Sequence, residues 1–271
     1  MKRILSMTTL LAVGATPLAF SNPSEPDVAP FERTRLSVEN KMPAEGKQHL
    51  GTDFIITETQ DGNEQAGSGD SNIFSVVPYL RYGLRSDLVL EARIPVSYID
   101  RDQGGEDIGL GDVEVGLQLK AFEDIFEYPF VIPHITGVLQ TGDEDKGLGR
   151  GYNGVRFGVS VGTVLGEPWK GSHGDNWTWI LDVSYEARSS IENAVTVAIS
   201  TVWDVSDRFA VVGEVGVSED DTIVTDDGNP ITVSGGMSYD FSEDLQVTLY
   251  GSTVVNTDQD SIVTLNYVRN F

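Results

Sequence analysis

The sequence predicts an all-β fold, a single up-and-down antiparallel transmembrane β-barrel of about 12 strands. Three observations predict it. Apolar and polar side chains alternate with a period of two along most segments, as a strand with two different faces requires. Long polar connections broadly alternate with tight turns along the chain. Each candidate strand also has the roughly 9–11 residues that a tilted membrane-spanning strand needs.

The N-terminus has the pattern of an export signal. Lys2 and Arg3 form a basic tip, an apolar run follows, and small residues come just before position 22. This pattern is typical of a secretory signal peptide. We therefore predict a cleaved signal peptide over residues 1–21, an irregular periplasmic segment over 22–46 and an outer-membrane barrel over 47–271.

The barrel region divides into strands that are separated by turn residues. In residues 177–188 apolar side chains occupy odd positions at Trp177, Trp179, Leu181, Val183 and Tyr185, and polar ones occupy even positions at Thr178, Asp182, Ser184, Glu186 and Arg188. Residues 230–241 and 261–271 show a similar alternation. The predicted strands run over residues 47–59, 72–84, 87–99, 109–122, 128–141, 152–165, 177–188, 192–203, 208–218, 230–241, 244–255 and 261–271.

The direction of the apolar face decides the class of protein. In a soluble β-protein this face forms the core, whereas in an outer-membrane barrel it contacts lipid and the polar face lines the interior. Connections after the second, eighth and tenth strands are tight, and those after the first, third, fifth and ninth are long and polar. This pattern favours the membrane barrel, with short turns and both termini in the periplasm. Two connections depart from this pattern. The one at 166–176 is long on the predicted periplasmic side, and the one at 189–191 is short on the outer side.

Composition excludes several classes of function. The formal net charge is −24, which disfavours binding to nucleic acid. There is no cysteine, so neither disulfides nor thiolate metal sites are available. We predict no metal, no cofactor and no catalytic residue, because His49, His134 and His173 lie far apart and no local motif pairs them with a nucleophile. Acidic residues cluster in the long connections, where they keep the surface soluble.

If the apolar faces point outward, the charged residues of the opposite parity point inward. Buried charges are costly unless they pair or contact water, so we expect these groups to form ion pairs or to line a passage. The predicted lumen-lining residues are Asp53, Arg81, Glu91, Arg93, Glu114, Lys120, Arg156, Asp182, Glu186, Arg188 and Glu214.

Three stretches carry a resemblance to a known family: "VVPYLRYGLRSDLVLEARIPVSY" at 76–98, "GLGDVEVGLQLKAF" at 109–122 and "LQTGDEDKGLGRGYNG" at 139–154. The sequence resembles the outer-membrane barrel proteins grouped as the Putative MetA-pathway of phenol degradation family. Its most specific points are Gly-Leu-Gly-Asp at 109–112 and Thr-Gly-Asp at 141–143, although Gln140 stands where the family usually has proline. The resemblance implies a passive route for small hydrophobic or aromatic compounds. The final residue, Phe271, also resembles the C-terminal signal that the barrel-assembly machinery reads.

The leading hypothesis is therefore an outer-membrane channel that lets small hydrophobic or aromatic solutes pass through a narrow, charge-lined lumen. Its expected partners are outer-membrane lipid, lipopolysaccharide, the barrel-assembly machinery and a small-molecule solute. One alternative is a non-conducting structural or interaction barrel with acidic surface loops. Another is a soluble periplasmic lipocalin-like binding protein, which requires the apolar faces to point inward.

Overall fold

The structure is a computed structural model that describes residues 42–59, 71–101, 105–121, 130–165, 176–206, 208–219, 229–242, 244–255 and 260–271. These residues form antiparallel strands and one short 3-10 turn, Glu144–Lys146. The strands are β1 Gln48–Thr59, β2 Ser71–Arg85, β3 Leu88–Arg93, β4 Val96–Arg101, β5 Gly105–Leu110, β6 Val113–Leu119, β7 Phe130–Leu139, β8 Gly154–Leu165, β9 Asn176–Arg188, β10 Ala194–Ser206, β11 Phe209–Glu219, β12 Ile231–Ser242, β13 Leu245–Val254 and β14 Asp260–Asn270.

The fourteen strands form a closed barrel of twelve. Strands β3 and β4 both pair with β2, at successive positions along it, and together make the third barrel strand. Strands β5 and β6 pair with β4 and β3 respectively and make the fourth. Strand β1 pairs with both β2 and β14, so the sheet closes on itself. The predicted transmembrane barrel of about 12 strands is confirmed.

Two barrel strands are interrupted where the sequence predicts continuous ones. The third breaks at Ile94 and Pro95, because proline has no N–H to donate to the sheet. The fourth breaks beside it at Gly111 and Asp112, and the Gly111 N–H donates to the Pro95 carbonyl over 2.9 Å. The fourth barrel strand also begins at Gly105 instead of residue 109. The polar residues at its start are predicted from the sequence to lie in a loop, yet these residues pair with β4.

The apolar faces point outward. In β9, Trp177, Trp179 and Leu181 are exposed, whereas Thr178 and Ile180 between them are buried. The same alternation runs along the other strands, so the outer surface is a belt of exposed Val, Leu, Ile and aromatic side chains. Contact of these apolar side chains with lipid hydrocarbon carries no energetic penalty, whereas their contact with water is unfavourable. The soluble lipocalin-like alternative, which needs these faces inside, is wrong.

The two ends of the barrel differ. At one end, which we call the terminal end, Gln48 of β1 and the final residue Phe271 exchange backbone hydrogen bonds of 3.3 and 2.9 Å. The tight connections after β2, β10 and β12 lie here, whereas the short connection between β9 and β10 lies at the opposite end. The connection after β2 is fixed by two hydrogen bonds, of 2.9 and 2.5 Å, from the Arg85 guanidinium to Asp87. These hydrogen bonds lower the pKa of the half-buried Asp87 carboxyl. We call the opposite end, with residues 140–153, the loop end.

Parts of the predicted organisation lie outside the described residues. These parts are the signal peptide at 1–21, all but the last residues of the 22–46 segment, the long connection at 166–175 and most of the acidic loop residues. In the part of the chain that the structure describes, no helix is long and apolar enough to cross a membrane.

Candidate functional site

The barrel interior brings together most of the charged residues that the sequence places on the polar face. Ten of the predicted eleven occupy positions whose parity is opposite to that of the exposed apolar side chains. Lys120 directly follows β6, and its backbone N–H donates to the Asp87 carbonyl, so it lies at the terminal end. The ten inward residues are Asp53, Arg81, Glu91, Arg93, Glu114, Arg156, Asp182, Glu186, Arg188 and Glu214.

A first network, the Glu91 network, joins β1, β2, β3, β6 and β14. Glu91 lies between two guanidinium groups, at 3.3 Å from Nε of Arg81 and 2.5 Å from Nε of Arg93. Arg81 also donates to Gln118 over 2.7 Å, and Arg93 lies 3.8 Å from Asp53. Because each charge has an opposite charge beside it, the buried groups avoid the large cost of isolated ions.

The Glu91 network continues into neutral partners that the sequence analysis missed. Asn266 donates to Asp53 over 2.7 Å and lies 3.1 Å from the Tyr79 hydroxyl. The Arg93 guanidinium lies over the Tyr79 ring, 5.2 Å from its centroid. Neither Asn266 nor Tyr79 has a sequence signal beyond its inward parity, because the strands that bring them together are far apart in the chain.

A second network, the Glu186 network, lies near the loop end. The Glu186 carboxylate accepts hydrogen bonds of 2.9 and 3.2 Å from Arg156, and Arg188 lies 3.5 Å from it. Arg150, from the connection between β7 and β8, approaches Glu186 at 3.8 Å and Glu114 at 3.4 Å. Three guanidinium groups thus surround one buried carboxylate, with Glu114 as the second acid.

Tyr152 completes the Glu186 network and lies outside the strands. Its hydroxyl donates to Glu186 over 2.9 Å, and the Arg188 guanidinium lies over its ring, 5.2 Å from the centroid. Burial raises the pKa of the Tyr152 hydroxyl, so it remains a proton donor at neutral pH. Burial alone would lower the pKa of Arg150, but the carboxylates of Glu114 and Glu186 raise it above its usual value.

Two further inward carboxylates bind hydroxyl groups. Asp182 accepts a 2.5 Å hydrogen bond from Ser160, and its same oxygen lies 3.0 Å from Nε2 of His134. In a serine hydrolase the histidine lies between serine and acid and removes the serine proton. Here the acid lies between the other two, so this trio has the connectivity of a hydrogen-bonded lattice. Glu214 accepts a hydrogen bond from Ser200 on the neighbouring strand.

The two family motifs meet at Asp112, whose role the sequence analysis did not assign. Its carboxylate accepts from the backbone N–H groups of Thr141, Gly142 and Arg150 over 3.1, 2.9 and 2.6 Å. The Thr141 hydroxyl donates in turn to the Gly111 carbonyl over 2.8 Å. The Gly-Leu-Gly-Asp and Thr-Gly-Asp motifs are therefore one structural unit that fixes the 140–153 connection to the break in the fourth barrel strand.

Three inward aromatic rings lie on glycines of the neighbouring strand. Tyr79 is paired with Gly51, His134 with Gly158 and Phe130 with Gly162. A Cβ atom at any of these glycines would overlap the ring opposite. Glycine is therefore required here for a close approach between side chain and backbone, as its lack of a Cβ allows.

We expect Gly162→Ala to destabilise the barrel by about 1–3 kcal/mol, because the new methyl group would overlap the Phe130 ring and displace it from its packed position. Urea unfolding of the refolded barrel, followed by tryptophan fluorescence, measures this change. Gly216→Ala is the matched control. It is also an inward strand position, and its added Cβ would make ordinary contacts with the Ala198 Cβ at 3.7 Å and the Val197 carbonyl oxygen at 3.8 Å. Equal midpoints for the two variants would contradict the expectation.

Among the residues that the structure describes, no group of three or more His, Asp or Glu side chains is placed to hold a metal ion. Chemically, the described interior offers paired charges, hydroxyl groups and packed apolar side chains. This arrangement can position or exclude a solute.

Solved structures share this architecture. An outer membrane channel from Pseudomonas putida F1 is 16% identical, with a TM-score of 0.62 over 91% of this chain and 100% of that one. The KdgM porin is 10% identical, with a TM-score of 0.51 over 82% of this chain and 99% of that one. Its complex with disordered oligogalacturonate superposes equally well. At these identities the likeness shows the fold alone.

No curated protein matches the sequence. A family model does match, over residues 40–267, which is most of the chain and includes every strand up to β13 and nearly all of β14. The matched range contains the Asp112 unit and both charge networks. By this match, the chain belongs to the family described as "Putative MetA-pathway of phenol degradation".

Proposed function

We propose that the protein is an outer-membrane channel through which small hydrophobic or aromatic solutes pass without energy input. The observation that carries the proposal is a closed twelve-strand barrel with an apolar exterior, whose fold matches the full length of a solved outer membrane channel. The description of its family supports an aromatic solute. In this proposal the channel has no enzymatic activity.

The width of the barrel supports slow, selective passage. Barrels of eight strands are filled by side chains, whereas those of sixteen to eighteen leave an aqueous channel. A twelve-strand barrel lies between these, and here the charged side chains of the Glu91 and Glu186 networks project into its interior. We propose that the predicted lumen-lining residues, Lys120 at the terminal end included, border the route of the solute.

The proposal includes an orientation. The terminal end, with its tight turns, the start of β1 and Phe271, faces the periplasm, and the loop end faces outward and contacts lipopolysaccharide. Outer-membrane barrels have short periplasmic turns, which supports this assignment. In the same proposal Phe271, the end of the last strand, is recognised by the barrel-assembly machinery during insertion.

Whole-cell uptake tests the function. A Gram-negative host that expresses the full chain should take up radiolabelled toluene faster than the same host with an empty vector, because the lipopolysaccharide leaflet slows apolar solutes. Intact cells are required, since toluene crosses plain lipid bilayers unaided. Equal initial rates in the two strains, with the barrel folded in the outer membrane, would refute the proposal.

A non-conducting structural barrel is the second candidate, and the ion-pair networks of the interior favour it. Arg93→Gln and Glu114→Gln separate the two functions, because both residues contribute to these networks. A sealed barrel predicts lower stability and unchanged uptake. A channel predicts altered uptake at similar expression, and this is the result we expect.

A further inference from the structure

The interior of the terminal half contains an apolar layer that neither charge network explains. We define this layer as Val89 of β3, Phe130 and Ile132 of β7, Ile180 of β9, Val202 of β10 and Ala210 of β11. Each lies within a few residues of the point where its strand reaches the terminal end of the barrel. Apolar side chains are expected on the lipid-facing side of a transmembrane barrel, so their presence inside is unusual.

Burial shows that this layer is inside the barrel and packed. Ile180 is 1% exposed, although its strand neighbours Trp179 and Leu181 are 39% and 44% exposed on the outer face. Across the layer, relative exposure ranges from 0% at Val202 to 3% at Phe130. Inward side chains that bordered an open aqueous lumen would be accessible to water. The side chains therefore close the barrel at this level on the side formed by β3, β7, β9, β10 and β11.

Several other inward groups near the terminal end are engaged, although the buried Thr178 hydroxyl beside Val202 has no hydrogen-bond partner. Arg81 is 2% exposed and is held by Glu91 and Gln118. On β12 and β13, next to β11, the buried hydroxyls of Ser238 and Thr248 lie 2.9 Å apart and bond to each other. Moving these groups aside would break ion pairs or hydrogen bonds, whereas moving Ile or Val side chains breaks only dispersion contacts. The apolar layer is thus the part of the closure that is easiest to open.

An apolar solute and an ion meet different barriers at such a layer. A neutral aromatic molecule replaces one set of apolar contacts with another and loses no hydration that it needs. An ion must give up its hydration among side chains that are mainly apolar, which is strongly unfavourable. Hydrophobic constrictions in channels exclude ions in this way.

We propose that the apolar layer is the selectivity barrier of the channel, which admits small neutral apolar solutes and rejects ions, charged aromatic compounds included. This inference rests on the proposed function and adds to it the charge state of the solute. It assigns the rejection of ions to Ile180, Val202 and their neighbours in the layer, whereas the charge networks border other parts of the route.

Ile180→Ser tests the proposal, because it places a small polar group within the layer. We expect a several-fold rise in single-channel ion conductance in planar bilayers. In cells, uptake of benzoate should rise towards that of toluene at pH 7. Leu181→Ser, one residue along on the outer face, should leave both readings at the native level, and so should Ile180→Leu, which keeps the layer apolar.

Val202→Ser is the second variant, in case Ile180→Ser does not fold; heat-modifiable migration in gel electrophoresis confirms folding. Native conductance and a native ratio of benzoate to toluene uptake in a folded serine variant would overturn the proposal. The proposed function fails separately, if the native barrel does not accelerate toluene uptake. A serine variant that then still gains ion conductance would leave the layer as a barrier to ions.

Discussion

Glu186→Ala will lower the free energy of unfolding by about 3–5 kcal/mol, the usual cost of removing one partner from a buried charge cluster. The loss leaves Arg150, Arg156 and Arg188 close together without the carboxylate that they share. It also removes the acceptor of the Tyr152 hydroxyl. Urea unfolding of the refolded barrel in detergent micelles measures the change.

Glu186→Gln and Glu58→Ala are the controls for this prediction. The glutamine keeps an acceptor for Tyr152 but removes the charge, so it should fall between native protein and Glu186→Ala. Glu58 is an exposed residue near the loop end, and its substitution should change stability by less than about 0.5 kcal/mol. If Glu186→Ala were as stable as Glu58→Ala, the three arginines would not depend on Glu186.

Asp112→Ala will release the 140–153 connection from the barrel wall. Hydrogen bonds to charged groups contribute about 1.5–3 kcal/mol each, and Asp112 accepts three of them from backbone N–H groups. Even a net loss of roughly 3 kcal/mol would raise the open fraction of this connection about a hundredfold. Limited trypsin digestion will show it, because the connection contains Lys146 and Arg150.

Asp145→Ala is the control on the same connection. Asp145 is exposed, and its substitution removes an equal charge without changing the Asp112 unit. The cleavage rate of the Asp145→Ala barrel should therefore equal that of the native barrel. Cleavage sites identified by mass spectrometry must fall at Lys146 or Arg150 for the interpretation to stand. An Asp112→Ala barrel as resistant as Asp145→Ala would show that other contacts hold the connection.

The interior illustrates how far sequence reasoning extends. Parity alone identifies residues such as Asp182 and Glu186 as inward, because a strand alternates its faces whatever its neighbours are. Parity cannot identify their partners. Glu186 is bound by Arg150, which lies in a connection and has no parity, and Asp53 is bound by Asn266, which is more than 200 residues away in the chain. These pairs depend on strand register and on barrel closure.

The interruptions of the third and fourth barrel strands show the same limit. Pro95 is visible in the sequence as a residue that cannot donate to a sheet, yet the alternation on both sides of it favours one continuous strand. The adjacent break at Asp112 compensates for it, since Gly111 bonds to the Pro95 carbonyl across the two breaks. This compensation exists only between paired strands, so it is not visible in either segment alone.

The sequence by itself determined that the chain is a twelve-strand transmembrane barrel with apolar faces outward. Alternation with a period of two and the length of each strand are local properties, and a membrane-spanning strand requires both. The tertiary structure alone decided which charges pair, that the two glycine motifs meet at Asp112, and that buried apolar side chains of β3, β7, β9, β10 and β11 pack inside the barrel near the terminal end. Those features depend on register and closure, which bring together inward residues from strands that are distant in the chain.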